Sequence, residues 1–89
     1  MRAVVRSRRF RNEVKRLKRL GFEMKELYAV VDLLAEEGEL PPGYRPHLLT
    51  HEWDGVWECH IEPDWLLIYE VTDREVILHR TGTHSELFG

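Results

Sequence analysis

Apolar residues along this chain follow two periods. Phe10, Val14, Leu17 and Leu20 recur at helical spacing with basic residues filling the other faces, and Leu27, Val30, Val31 and Leu34 repeat the pattern further on. Ser7 offers an N-cap oxygen to the first segment, Gly21 sits where a left-handed residue would end it, and Gly38 stops the second. The spacing predicts two antiparallel helices joined by a tight turn, preceded by a short strand at Ala3-Val4-Val5. Leu40-Pro41-Pro42-Gly43-Tyr44-Arg45-Pro46 is a loop by composition.

Beyond the loop the period changes to two. From Val56 to Ile61 the residues alternate, with Val56, Glu58 and His60 facing one way and Trp57, Cys59 and Ile61 the other. Pro63 and Asp64 break the run. Trp65 to Val71 is almost wholly apolar, which predicts a central strand; Asp73-Arg74 suits a hairpin turn, and Val76 to Arg80 returns. The tail from Thr83 to Phe88 suits a short helical turn. The order β-α-α-β-β-β predicts an α+β domain, with both helices on one face of an antiparallel meander and the other face open to a ligand.

At 89 residues the chain has room for one domain, 1–89. No segment approaches the roughly 18 apolar residues of a membrane span, and the basic N-terminus lacks the apolar stretch of a signal peptide. The expected compartment is the cytoplasm, with no membrane partner. The single Cys59 cannot form an intramolecular disulfide.

Charge is divided unevenly. Residues 1–20 carry nine basic side chains (Arg2, Arg6, Arg8, Arg9, Arg11, Lys15, Arg16, Lys18, Arg19) and one acid, Glu13, whereas residues 21–89 carry four basic and fifteen acidic ones. A basic helix on an acidic body could dock on a polyanion or an acidic protein, or could pair with acids elsewhere in its own fold. Uniform coating by nucleic acid is disfavoured, because the acidic body repels phosphate.

The histidines carry the candidate chemistry. His60 ends one strand, Asp64 begins the next, His84 follows a third and His47 lies just before the meander, so adjacent strand ends would bring these groups together. His79 is one residue out of phase with Arg80, so strict alternation would let at most one of them enter the same cleft. A zinc reading of His47, His51, Cys59 and His60 matches no paired-ligand spacing, and neighbouring Cys59 and His60 point to opposite faces, so no metal is expected. Convergent histidines with an arginine suit metal-free RNA cleavage instead. A base takes the ribose 2′-hydroxyl proton, an acid protonates the leaving 5′-oxygen, and Arg80 could clamp the phosphate. Most of Trp53, Trp57, Trp65, Tyr69 and Phe88 are expected in the core, although Trp65 and Phe88, beside the polar groups, could stack on a base.

Three blocks at these positions resemble toxins of the RelE/ParE superfamily, in its YafQ-like branch. They are His47-x-Leu49; Cys59-His60-Ile61-Glu62-Pro63-Asp64-Trp65-Leu66-Leu67-Ile68-Tyr69; and Arg80-Thr81-Gly82-Thr83-His84-Ser85-Glu86-Leu87-Phe88-Gly89. The resemblance implies a RelE-like fold and a toxin of a type II toxin–antitoxin system. It implies a ribosome-dependent endoribonuclease that cuts mRNA in the A site without a cofactor and is held inactive by a cognate antitoxin. Operator DNA would be met only through the antitoxin. Carried over by motif, His47, His60, Asp64 and His84 are the implied active-site residues, with His47 a candidate base and His84 a candidate acid; Trp65, Arg80 and Phe88 are implied as supporting groups. The basic residues Arg8, Arg9, Arg11, Lys15, Arg16, Lys18 and Arg19 would face ribosomal RNA. The alternative is a non-enzymatic, ParE-like toxin that binds a protein target, which would not need the His47, His60, Asp64 and His84 set. Departures from the usual pattern are His51, Trp57 and Glu58, the last adding a negative charge on the strand face of His60.

Overall fold

A computed structural model describes residues 1–49 and 55–89. His51 and Trp53 lie outside the described residues. The elements are β1 (Ala3–Arg6), α1 (Arg8–Arg19), α2 (Met24–Glu37), a 3-10 turn (Pro42–Tyr44), β2 (His47–Leu48), β3 (Trp57–Glu62), β4 (Trp65–Val71), β5 (Glu75–Gly82) and α3 (His84–Phe88). One sheet runs in the order β1-β5-β4-β3-β2. The meander β2 to β5 is antiparallel, and β1 joins its far edge parallel to β5.

Local chemistry accounts for the helix ends. The Ser7 hydroxyl accepts the Phe10 N–H at 3.0 Å and opens α1. Gly21, at φ 91°, closes it: the Gly21 N–H bonds the Lys18 carbonyl and the Phe22 N–H the Leu17 carbonyl, a Schellman arrangement. Leu20 therefore caps the helix instead of extending its apolar stripe, and it is 64% exposed. The stripe that does reach the core is Phe10 and Leu17 from α1 with Leu27, Val30, Val31 and Leu34 from α2. These pack on Trp65, Leu67 and Tyr69 of β4 and on Cys59, Ile61 and Leu78 beside them.

The opposite sheet face is less open than the pattern predicts. Leu66 and Ile68 point there, yet they are as buried as the core. Gly82 shares the cross-strand row of Leu66, and a Cβ on it would meet Glu86 Oε1 at 2.9 Å and Leu87 Cδ2 at 3.6 Å, so α3 folds over this face. Two further findings modify the sequence reading. His47 belongs to a strand of the sheet, paired with Glu58, instead of preceding it. Strict alternation also fails in β5: Tyr69 pairs with Leu78 and Ile68 with Arg80, leaving His79 as the extra residue of a bulge. His79 turns to Glu70, with Nε2 2.9 Å from the carboxylate.

Candidate active site

Sheet register builds the site. In antiparallel pairing, residues directly opposite share a face. His47 pairs with Glu58, Glu58 with Ile68 and Ile68 with Arg80, so one row crosses four strands. The next row holds His60, Leu66 and Gly82. Two histidines and a carboxylate thus stand together over an apolar floor. His47 Nε2 is 3.2 Å and His60 Nε2 3.9 Å from the same Glu58 oxygen. The Glu58 residue is 7% exposed, which makes these rings its chief electrostatic partners among the described residues.

The ring nitrogens have definable roles. A carbonyl oxygen only accepts, so His60 Nδ1, 3.2 Å from the Pro63 carbonyl, carries the proton of that bond. One guanidinium nitrogen of Arg45 lies 3.1 Å from Nδ1 and 3.3 Å from Nε2, against the ring and not along the lone pair of either nitrogen. The neutral His60 ring therefore presents an acceptor at Nε2. His47 differs: Nδ1 faces the Arg45 carbonyl at 3.2 Å and Nε2 faces Glu58, so both its nitrogens meet acceptors.

The turn between β3 and β4 links these rows to the C-terminus. Asp64 Oδ1 accepts the backbone N–H of His84 at 3.0 Å, one of the donors that the first turn of α3 leaves unpaired within the helix. Thr83 and Glu86 form a capping box at the same helix start. The His84 ring packs on Phe88 one turn later, centroids 5.3 Å apart, and Phe88 remains 41% exposed. His60 and His84 are thus joined through Pro63 and Asp64: the former residue holds the His60 ring, the latter the His84 backbone.

Two supporting residues sit otherwise than the resemblance implies. Trp65 is 1% exposed, edge-to-face with Phe22 at 5.1 Å, and its Nε1–H donates to Thr81 Oγ1 at 2.9 Å. A ring so enclosed has no face for a base; it anchors β4 to β5. Arg80 gives its guanidinium to Glu13 of α1, at 2.6 and 3.1 Å, instead of extending it over the cleft. On the basic helix, Arg16 pairs with Glu86 of α3, while Arg8, Arg9, Arg11, Lys15, Lys18 and Arg19 are exposed. Arg16 thereby holds the Glu86 carboxyl down to about 2, helped by the Thr83 backbone N–H. Burial, and then the Glu58 charge, push the Cys59 thiol up to about 12. Sequence reasoning missed Arg45; its place after a Pro-Pro-Gly loop gave no sign that it reaches His60. Among the described residues no cluster of three or more His, Cys, Asp or Glu side chains is placed to hold a metal ion.

A strand, two helices and an antiparallel meander that gathers histidines at its strand ends define a RelE-like toxin architecture. The sequence profile for "Bacterial toxin of type II toxin-antitoxin system, YafQ" matches residues 2–89. The mRNA interferase toxin YafQ of Escherichia coli (strain B / BL21-DE3) is 39% identical over 84 residues, covering 93% of this chain and 91% of its own. In the crystal structure of the E. coli DinJ–YafQ complex, a chain 38% identical superposes with a TM-score of 0.92, covering 100% of both chains. A metal-bound toxin from Helicobacter pylori, 40% identical, superposes with a TM-score of 0.90 over 99% of this chain and 100% of its own. The chain belongs to the YafQ family of toxins of type II toxin–antitoxin systems. No helix among the described residues is long and apolar enough to cross a membrane.

Proposed function

We propose that this chain is an mRNA interferase that cuts mRNA in the ribosomal A site by acid–base catalysis from its own side chains, and that a cognate antitoxin restrains it. The observation that carries the reading is the pair of histidines on one buried carboxylate, with a third histidine bound through Asp64 to the adjoining turn. A purely target-binding toxin has no use for such a set.

The chemistry runs as follows. His60 Nε2 takes the proton of the ribose 2′-hydroxyl, and the freed oxygen attacks the adjacent phosphorus in line. The bond to the 5′-oxygen breaks as His84 donates a proton to it, leaving a 2′,3′-cyclic phosphate and a 5′-hydroxyl. The Pro63 carbonyl fixes the His60 tautomer, and Glu58 stands by to pair with the imidazolium. The resemblance nominates His47 as base; its two nitrogens already face oxygens, so we assign it to orienting Glu58. Asp64 positions the start of α3 and so His84, and exposed Phe88 offers a ring to a base.

A shallow site of this kind positions free RNA poorly, and the ribosome supplies the missing alignment. The exposed residues Arg8, Arg9, Arg11, Lys15, Lys18 and Arg19 face ribosomal RNA, with Arg16 also serving α3. An activity on translating ribosomes belongs in the cytoplasm, and operator DNA is reached only through the antitoxin. The test is single-turnover cleavage of one mRNA, alone and loaded on purified ribosomes. Cleavage of the loaded message with the free message intact supports the reading. Equal cleavage of both overturns the ribosome requirement, and growth arrest without cleavage of either favours a protein target.

A further inference from the structure

Cleavage of a phosphodiester develops negative charge on the phosphate, and a positioned cation lowers that cost. Arg80 is the cation the sequence suggests, but Glu13 holds it: Arg80 is about as enclosed as its partner, with side chains 14% and 13% exposed. Arg45 is different. It is exposed, and among the described residues no carboxylate pairs with its guanidinium. It touches two histidines of the site, His47 through its carbonyl and His60 through its side chain, one terminal nitrogen lying 3.1 Å from Nδ1 and 3.3 Å from Nε2 of the His60 ring.

The backbone is shaped for this. Arg45 adopts φ 48°, ψ 51°, and it is the one non-glycine residue with positive φ among the described residues. An L-residue pays on the order of 1 kcal/mol for that conformation. The 3-10 turn Pro42–Tyr44 holds it there, through the Arg45 N–H to the Pro42 carbonyl at 2.9 Å. Tyr44, Arg45, His60, Glu62 and Pro63 then line a groove along the β3–β4 turn.

We propose that Arg45 binds the scissile phosphate beside His60. This rests on the RNA-cleavage reading. In the free protein the guanidinium lies against the His60 ring. A phosphate oxygen makes a charge-assisted, fork-matched partner for the same group and out-competes the ring. Arg45 then turns from the ring to the phosphate and holds it beside the His60 nitrogen that accepts the 2′-hydroxyl proton.

The experiment is single-turnover cleavage of a ribosome-loaded message with a mapped cut site, followed against toxin and salt concentration. Arg45→Gln keeps a donor for the ring and removes the charge. Arg45→Asn removes the guanidinium and suits the left-handed backbone, which guards against misfolding. Both should raise the half-saturating concentration about tenfold, the size of one charge-assisted bond. The slope of log affinity on log salt should fall by about one. Arg45→Lys, which keeps the charge without the fork, should restore the salt slope and recover part of the loss, and Arg74→Gln, on the distant β4–β5 turn, should change nothing. A non-bridging sulfur at the cut phosphate should slow wild type and add little to Arg45→Gln. If sulfur slows both equally, the lost contact is to ribosomal RNA and the proposal falls. It falls too if Arg45→Gln matches wild type, or lowers only the maximal rate with affinity and salt slope unchanged. If wild type cuts nothing, the endoribonuclease reading itself fails.

Discussion

Arg80 and Glu13 are 67 residues apart in the chain and share a two-point ion pair, with Arg80 Nη2 2.6 Å and Nε 3.1 Å from one carboxylate oxygen. The other Glu13 oxygen accepts the Thr81 backbone N–H at 3.1 Å. Strand β1 ends at Arg6, so beyond Leu78 the outer edge of β5 has no neighbouring strand; Glu13 of α1 takes that role. The single acid of the basic helix therefore ties it to the sheet.

Removing either partner should leave a nearly buried charge unmatched. Glu13→Ala and Arg80→Ala should each destabilise the fold by about 2–4 kcal/mol. Denaturant unfolding measures this. Losses in the double variant should fall well short of the sum of the single ones. An Arg80→Ala protein of full stability that binds message poorly would return Arg80 to the phosphate-clamp role.

The Glu86 carboxyl, held at about 2 against an ordinary 4.5 by Arg16 and the Thr83 N–H, makes α3 docking acid-sensitive. A depressed folded-state value means that this contribution is fully present above pH 4.5 and is lost as pH falls toward 2. Amide exchange in α3, followed down that range, should show protection fading in this window. Glu86→Gln should remove the acid step and start from lower protection. Acid insensitivity of the wild-type helix would contradict the pairing.

Burial pushes the Cys59 thiol up to about 12, and the residue is fully enclosed between the helices and the sheet. At pH 8 a thiol reagent should therefore modify Cys59 no faster than the protein opens. The labelling rate should rise with denaturant in step with unfolding. Rapid labelling of the native protein would mean that β3 is exposed.

Much of the fold is legible in the sequence because its determinants are local. Ser7, Gly21, the two helical stripes and the alternation from Val56 to Ile61 each act within a few residues. What is not legible depends on distant partners. The parallel pairing of β1 with β5, the Glu13 edge contact and the bulge at His79 arise from strands meeting across the chain. The same division holds at the site. His60, Asp64 and His84 are visible because strand ends and a turn place them. Glu58 reads from sequence as a charge on the strand face of His60, and cross-strand pairing with His47 gives it a second histidine partner. Trp65 reads as a possible stacking platform because it adjoins polar residues, but its strand position turns the ring into the core. Arg45 escapes notice because nothing in Tyr44-Arg45-Pro46 announces a left-handed residue.

The most direct test of the account is induced expression in a bacterial host of wild type and His84→Ala, with primer extension to map mRNA ends. Wild type should arrest growth and produce new ends in phase with codons. His84→Ala, folded but lacking the proposed acid, should produce few, with cleavage reduced by about a hundredfold or more. Growth arrest by both proteins without new mRNA ends would contradict the account and point to a protein target.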